Sequence, residues 1–185
     1  MKLGLISSAW LGTPVDTARS IELTKEIGFD TIDIFADPLE IDARERRLIR
    51  KTAQANQLPV VATVCCALGI ADFNKPVREF HVRRAKSYLD FCYELEGRNL
   101  LLVLGEYIWQ QEVIAPADQW KWAVEHTREL AEYAASLGTR VVLMSGSSRV
   151  LEAPEKFPWP VVAKPFRIDR VIATVRSALG HTHPP

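Results

Sequence analysis

The chain has 185 residues, its 23 Lys plus Arg are balanced by 23 Asp plus Glu, and 48% of it is hydrophobic. That length suits one domain of ordinary size, burying roughly 70% of the surface its unfolded chain exposes. The neutral balance argues against nucleic-acid and anionic-lipid partners, no run is long and apolar enough to span a membrane, and Met1 to Ser8 does not read as a signal peptide.

Three cysteines, Cys65, Cys66 and Cys92, have no zinc-type spacing, so the expectation is a reducing, cytoplasmic compartment without disulfides. Leu3, Leu5 and Ile6 make Lys2 to Ser8 a first strand. Thr13-Pro14 predicts a helix start, with Asp16 at its positive end and Gly28 stopping it. Thr31 to Phe35 is a second strand, and a helix from about Asp42 to Gln57 follows. Val60 to Cys65 is a continuous, β-branched third strand of the kind buried on both faces. Val77, Phe80, Tyr88, Phe91 and Leu95 fall near helical spacing between Pro76 and Leu95. Leu100 to Leu104 is the fourth strand. Pro116 opens a helix with Trp120, Val124, Thr127, Ala131, Ala134 and Leu137 on one face, closed by Gly138. Arg140 to Ser145 and the stretch Val161 to Phe166 are further strands, and Ile168, Val171, Ile172, Val175 and Leu179 mark the inner face of a last helix.

Strands alternating with helices imply parallel βαβ units with right-handed crossovers. Ligands in such folds sit at the carboxyl ends of the strands. The candidate functional residues are therefore Ser7, Ser8 and Trp10, then Asp33 and Asp37, then Cys65 and Cys66, then Glu106, Tyr107 and Trp109.

With Lys2-Leu3-Gly4, the helix end Gly28-Phe29-Asp30-Thr31-Ile32-Asp33, the strand Leu100 to Gly105, and helices ending in Glu96-Gly97 and Leu137-Gly138, residues 1–139 resemble the first half of a xylose-isomerase-like sugar-phosphate isomerase/epimerase barrel. Asp33 stands where that family more often has Glu. The resemblance implies an eight-stranded barrel whose divalent metal is held by carboxylates and a histidine on the last four strands. At the end of the fifth strand, where a Glu is usual, this chain has Met144 or Ser145.

Residues 140–180 instead resemble the end of a response-regulator receiver domain. Val141 to Gly146 is similar to its fourth strand, and Val161-Val162-Ala163-Lys164-Pro165-Phe166 to its fifth, with the Lys-Pro-Phe signature. That resemblance implies Ser145 as the phosphoryl-binding hydroxyl, Lys164 as the cation and a cis Lys164-Pro165 bond, against a default of about 5%. The receiver's acidic pair and acceptor aspartate have no counterparts.

The two resemblances meet between a helix and a strand, as in an engineered chimera of barrel and flavodoxin-like fragments. The expected architecture is α/β, with six parallel βα units in an open sheet or partial barrel: 1–139 a half-barrel, 140–180 a receiver-like segment, 181–185 a tail. The expected function is a scaffold without native catalysis and without cofactor. Two alternatives stand beside it: a divalent-metal-dependent sugar or sugar-phosphate isomerase/epimerase, and a phosphate-responsive signalling module.

Ser145, Gly146 and Lys164 form a candidate site for weak phosphate or sulfate binding, since a lysine, hydroxyls and backbone N–H groups at strand ends can hold an anion. Glu106 reads equally as a general base or as a solvated carboxylate, and no metal ligand set is assigned. Cys65-Cys66 reads as strand-end packing, Trp120 as core, and Arg44-Glu45-Arg46-Arg47 as a solvated helix face. His81 and His126 lie on helices. Open sheet edges favour a homodimer.

Overall fold

The computed structural model describes residues 2–104, 114–138, 143–145, 160–165 and 167–178. The side chains at 143–145, 168, 175 and 178 are outside that description. The chain divides into two compact units, residues 1–130 and 131–185.

In the first unit, strands β1 (Gly4–Ile6), β2 (Thr31–Ile34), β3 (Val60–Ala67) and β4 (Asn99–Leu104) pair in parallel in the order β1-β2-β3-β4. Sequence order equals spatial order, as in a barrel wall wound one way. At the start of β1, a Cβ on Gly4 would lie 2.5 Å from Thr31 Oγ1, so a side chain here would have to displace the Thr31 hydroxyl.

Helices α1 (Thr17–Ile27), α2 (Ala43–Ala55) and α3 (Lys75–Glu94) join these strands, and α4 (Pro116–Ser136) follows β4. The start predicted at Thr13-Pro14 moves to Thr17. Thr13 Oγ1 donates to Trp10 O at 2.6 Å, and Asp16 takes the capping role by accepting the Arg19 N–H at 2.8 Å. Asp42 caps α2 in the same way, accepting from Glu45 N at 2.8 Å. Gly28 ends α1 with φ of +106°, a left-handed turn that a side chain would strain.

The core lies between the sheet and the helices, in two clusters. Ile32 and Ile34 of β2 meet Ile21 of α1, Ile49 and Ala53 of α2, and Phe91 of α3. Cys65 and Ala67 of β3 meet Ile70, Val82, Ala85 and Tyr88, with Leu130 of α4. Each fully buried large side chain contributes about 1.5–3 kcal/mol. Thr63 is buried among them because its hydroxyl donates to Tyr88 O at 3.2 Å.

In the second unit, β5 (Leu143–Ser145) pairs in parallel with β6 (Val161–Ala163), and α5 (Ile168–Ala178) follows. The Lys164–Pro165 peptide bond is cis, as expected. The described strands thus form a four-stranded and a two-stranded sheet, all pairs parallel. No helix among the described residues is long and apolar enough to cross a membrane.

Candidate active site

Parallel strands in register point the same way at paired positions. With Ile32 and Ile34 committed to the helix side, Asp33 projects to the opposite, inner face. Ile6, Asp33 and Ala62 pair across β1, β2 and β3, and Ala62 pairs with Asn99 of β4, giving one inner row with two polar side chains. The next inner pairs towards the carboxyl ends are Val64–Leu101 and Cys66–Val103. Leu101 is 49% and Val103 38% exposed, so this wall is apolar and open. Burial raises the Asp33 carboxyl above its ordinary pKa, and the Ala62 backbone N–H offsets part of that rise. An inner-face carboxyl with a raised pKa, set in an apolar wall, is suited to carry a proton.

The residues just past the strands take other parts. Ser7 Oγ accepts from Phe35 N at 2.8 Å, fastening the turn after β1 to the end of β2. Trp10 Nε1 donates to Thr24 Oγ1 at 3.0 Å, which holds the indole on the helix side. Asp37 accepts from Leu39 N at 2.9 Å and from Arg84 Nε at 2.7 Å. Arg84 also donates to Cys66 O at 2.8 Å and to the Tyr88 hydroxyl at 3.3 Å. One guanidinium on α3 thus joins the loop after β2 to the end of β3. Burial alone would lower the Arg84 pKa, but its bond to Asp37 raises it overall, while burial pushes the Tyr88 hydroxyl up.

Cys65 and Cys66 point opposite ways. Cys65 is fully buried on the helix side, and burial pushes its thiol up to about 12. It is no nucleophile, in keeping with the packing role expected for it. Cys66 sits half-buried on the inner face. Neither helix histidine reaches that face: His126 Nδ1 lies 2.7 Å from Ile70 O, and burial holds His81 below the usual histidine range.

Glu106, Tyr107, Trp109, Gly146 and the Ser145 side chain lie outside the described residues. Lys164 is exposed directly after β6, whose Ala163 pairs with Ser145 of β5. The backbone therefore ends both strands at one side of the small sheet.

Alternation in β2 is enough to turn Asp33 inward. Arg84 gives no such signal, because its partner Asp37 is 47 residues away and nothing local marks the pair. The expected solvated face at Arg44 to Arg47 is corrected at two positions. Glu45 lines a cavity, and Arg46 reaches Glu94 Oε1 at 3.4 Å and stands over the Phe91 ring.

Among the described residues, no group of three or more His, Cys, Asp or Glu side chains is placed to hold a metal ion. The described residues therefore do not by themselves build the metal centre that the barrel resemblance implies.

A parallel sheet in barrel order with its candidate acid inside defines the class: an α/β barrel-type fold. Residues 21–146 match the xylose isomerase-like TIM barrel family, and the chain belongs to it. Among solved structures, 3-keto-D-glucoside 4-epimerase from E. coli matches with a TM-score of 0.69 and 18% identity over 97% of this chain and 77% of that one. D-psicose 3-epimerase matches with a TM-score of 0.65 and 21% identity over 80% of this chain and 53% of that one. L-ribulose 3-epimerase matches with a TM-score of 0.60 and 24% identity over 78% and 50%. The chain thus spans about half the length of the last two. No curated protein matches it.

These matches overturn the expectation of a non-catalytic chimera. The family match continues to residue 146, past the supposed junction at 139/140, and the match to the epimerase from E. coli takes in nearly the whole chain. The receiver-like and flavodoxin-like reading of 140–180 gains no support, and the signalling alternative goes with it. A Lys-Pro-Phe after a short strand and a hydroxyl residue ending another are features that unrelated βα folds share by chance. The expectation of no cofactor is corrected too, because it rested on the chimera, whereas the barrel resemblance implies a divalent metal.

Proposed function

We propose that this chain works as a sugar or sugar-phosphate isomerase/epimerase, moving a proton at a carbon next to a carbonyl. Asp33 carries the reading: it is a carboxyl on the inner face of a parallel barrel wall, with its pKa raised by burial. A carboxyl whose pKa is raised by burial is a better base than an ordinary one, and it can both accept a proton from such a carbon and return it, which is what epimerisation requires. Leu101 and Val103 turn an apolar wall to the reacting carbon on the same inner face. The family membership and the three epimerase structures support the same chemistry.

The test is conversion of a panel of free and phosphorylated ketoses, with D-fructose and L-ribulose among them, in the presence of manganese or cobalt. A companion titration of either ion into metal-free protein reads the metal directly. Epimerisation that Asp33→Asn abolishes is the expected result. Failure to convert any sugar, together with no tight metal site, would sink the proposal.

A further inference from the structure

A cavity of about 160 Å³ opens on the helix side of the sheet, between the first turns of α1 and α2. It is separate from the inner face, because Ile34, which forms part of its wall, points away from Asp33. Its volume is close to that of an engineered apolar cavity of ~150 Å³ that holds benzene. Trp10, Phe35 and Ile49 supply apolar wall, and Glu45 stands among the polar residues that complete it.

Two observations indicate the occupant. Glu45 lines the cavity, its backbone N–H is taken up by Asp42, and its side chain has no hydrogen-bond or ion-pair partner among the described residues. It stands in the first turn of α2, at the edge of an apolar hollow. The Trp10 indole is fixed by its bond to Thr24, which presents a rigid aromatic surface to the same space. A cationic head gains a charge-assisted hydrogen bond from the first and a cation–π contact from the second. A neutral head gains neither.

We propose that this cavity binds small primary amines with a compact apolar tail, the ammonium between Glu45 and Trp10 and the tail against Phe35 and Ile49. The site is independent of the sugar chemistry and stands or falls without it.

The experiment titrates the full chain with benzylamine and with its neutral isostere benzyl alcohol, following the Trp10 indole resonance. Benzylamine is expected to bind with a Kd on the order of 1 mM, at least about tenfold tighter than the alcohol. Glu45→Gln should remove that preference and leave the alcohol unchanged. Ala36→Leu, which fills the cavity from its wall, should weaken both. Equal affinity for the two probes, benzylamine binding that survives Glu45→Gln, or no indole shift with either probe overturns the proposal.

Discussion

Arg84 and Asp37 form an ion pair with Nη2 to Oδ2 at 2.6 Å, their side chains 17% and 13% exposed. The pair ties α3 to the loop after β2, and the same guanidinium bonds the carbonyl of Cys66 at the end of β3. A charge so placed is costly to strand. Arg84→Met is expected to lower stability by ~3 kcal/mol, because it leaves the Asp37 carboxylate uncompensated. Adding Asp37→Asn should recover part of the loss, and urea unfolding of both singles and the double variant measures the coupling. Additive losses would mean that the pair contributes only packing.

The three thiols should differ in reactivity. Cys65 and Cys92 are buried with their thiols pushed up in pKa, Cys65 to about 12, whereas Cys66 is half-buried on the inner face. In native protein at pH 8, one thiol should react quickly with an aromatic disulfide reagent, and Cys66→Ser should abolish that phase. A fast phase that persists in Cys66→Ser would contradict the inward orientation of Cys66.

Asp33 makes a prediction about pH. Burial raises its pKa in the folded chain above the ordinary 3.8. The protonated form therefore contributes stability that is full below 3.8 and is lost as pH rises through the raised folded value. Asp33→Asn should then be the more stable protein at pH 7, by less than about 1 kcal/mol after screening by solvent. The advantage should vanish near pH 3, where both side chains are neutral. Thermal unfolding at the two pH values checks this, and a variant both more stable and inactive in sugar conversion would show a residue kept for chemistry at a cost in stability.

Lys164 leaves β6 beside the end of β5, where Ser145 and Gly146 follow in sequence. We propose that these residues hold phosphate or sulfate weakly, with a Kd on the order of millimolar, as expected of an exposed lysine with backbone N–H donors. Lys164→Met should weaken inorganic phosphate binding about fivefold or more. Equal binding by the two proteins would remove Lys164 from the site.

Much of the first unit is legible in the sequence because its signals are local. The helices start where Asp42 and Pro116 stand, and the strands are runs such as Val60 to Cys65. Thr13-Pro14 misleads because two caps compete within four residues and Asp16 has the better geometry. The site is legible only in part. Strand order sets out Asp33 and Cys66, and alternation aims one of them, but Trp10 and Asp37 lie in turns whose side chains are set by distant partners, Thr24 and Arg84. The second unit misleads for a different reason. Strand signatures of a few residues carry little information alone, and Ser145 and Lys164 stand in such short signatures without the rest of a receiver domain around them.

The open wall of β4 has a consequence for how the chain survives its own synthesis. Asn99 to Leu104 reads Asn-Leu-Leu-Leu-Val-Leu, a six-residue window without charge, proline or glycine, and Leu101, Val103 and Leu104 stay 38–49% exposed in the fold. Such windows stack readily into cross-β assemblies when a partner strand is late. Arg98 and Glu96 stand directly upstream as charged gatekeepers, and Glu96 is itself held by Arg50 at 2.7 Å. The apolar wall that β4 turns to the inner face is thus also a segment prone to self-association, so the charges just before it guard the chain while its partner strand is being made.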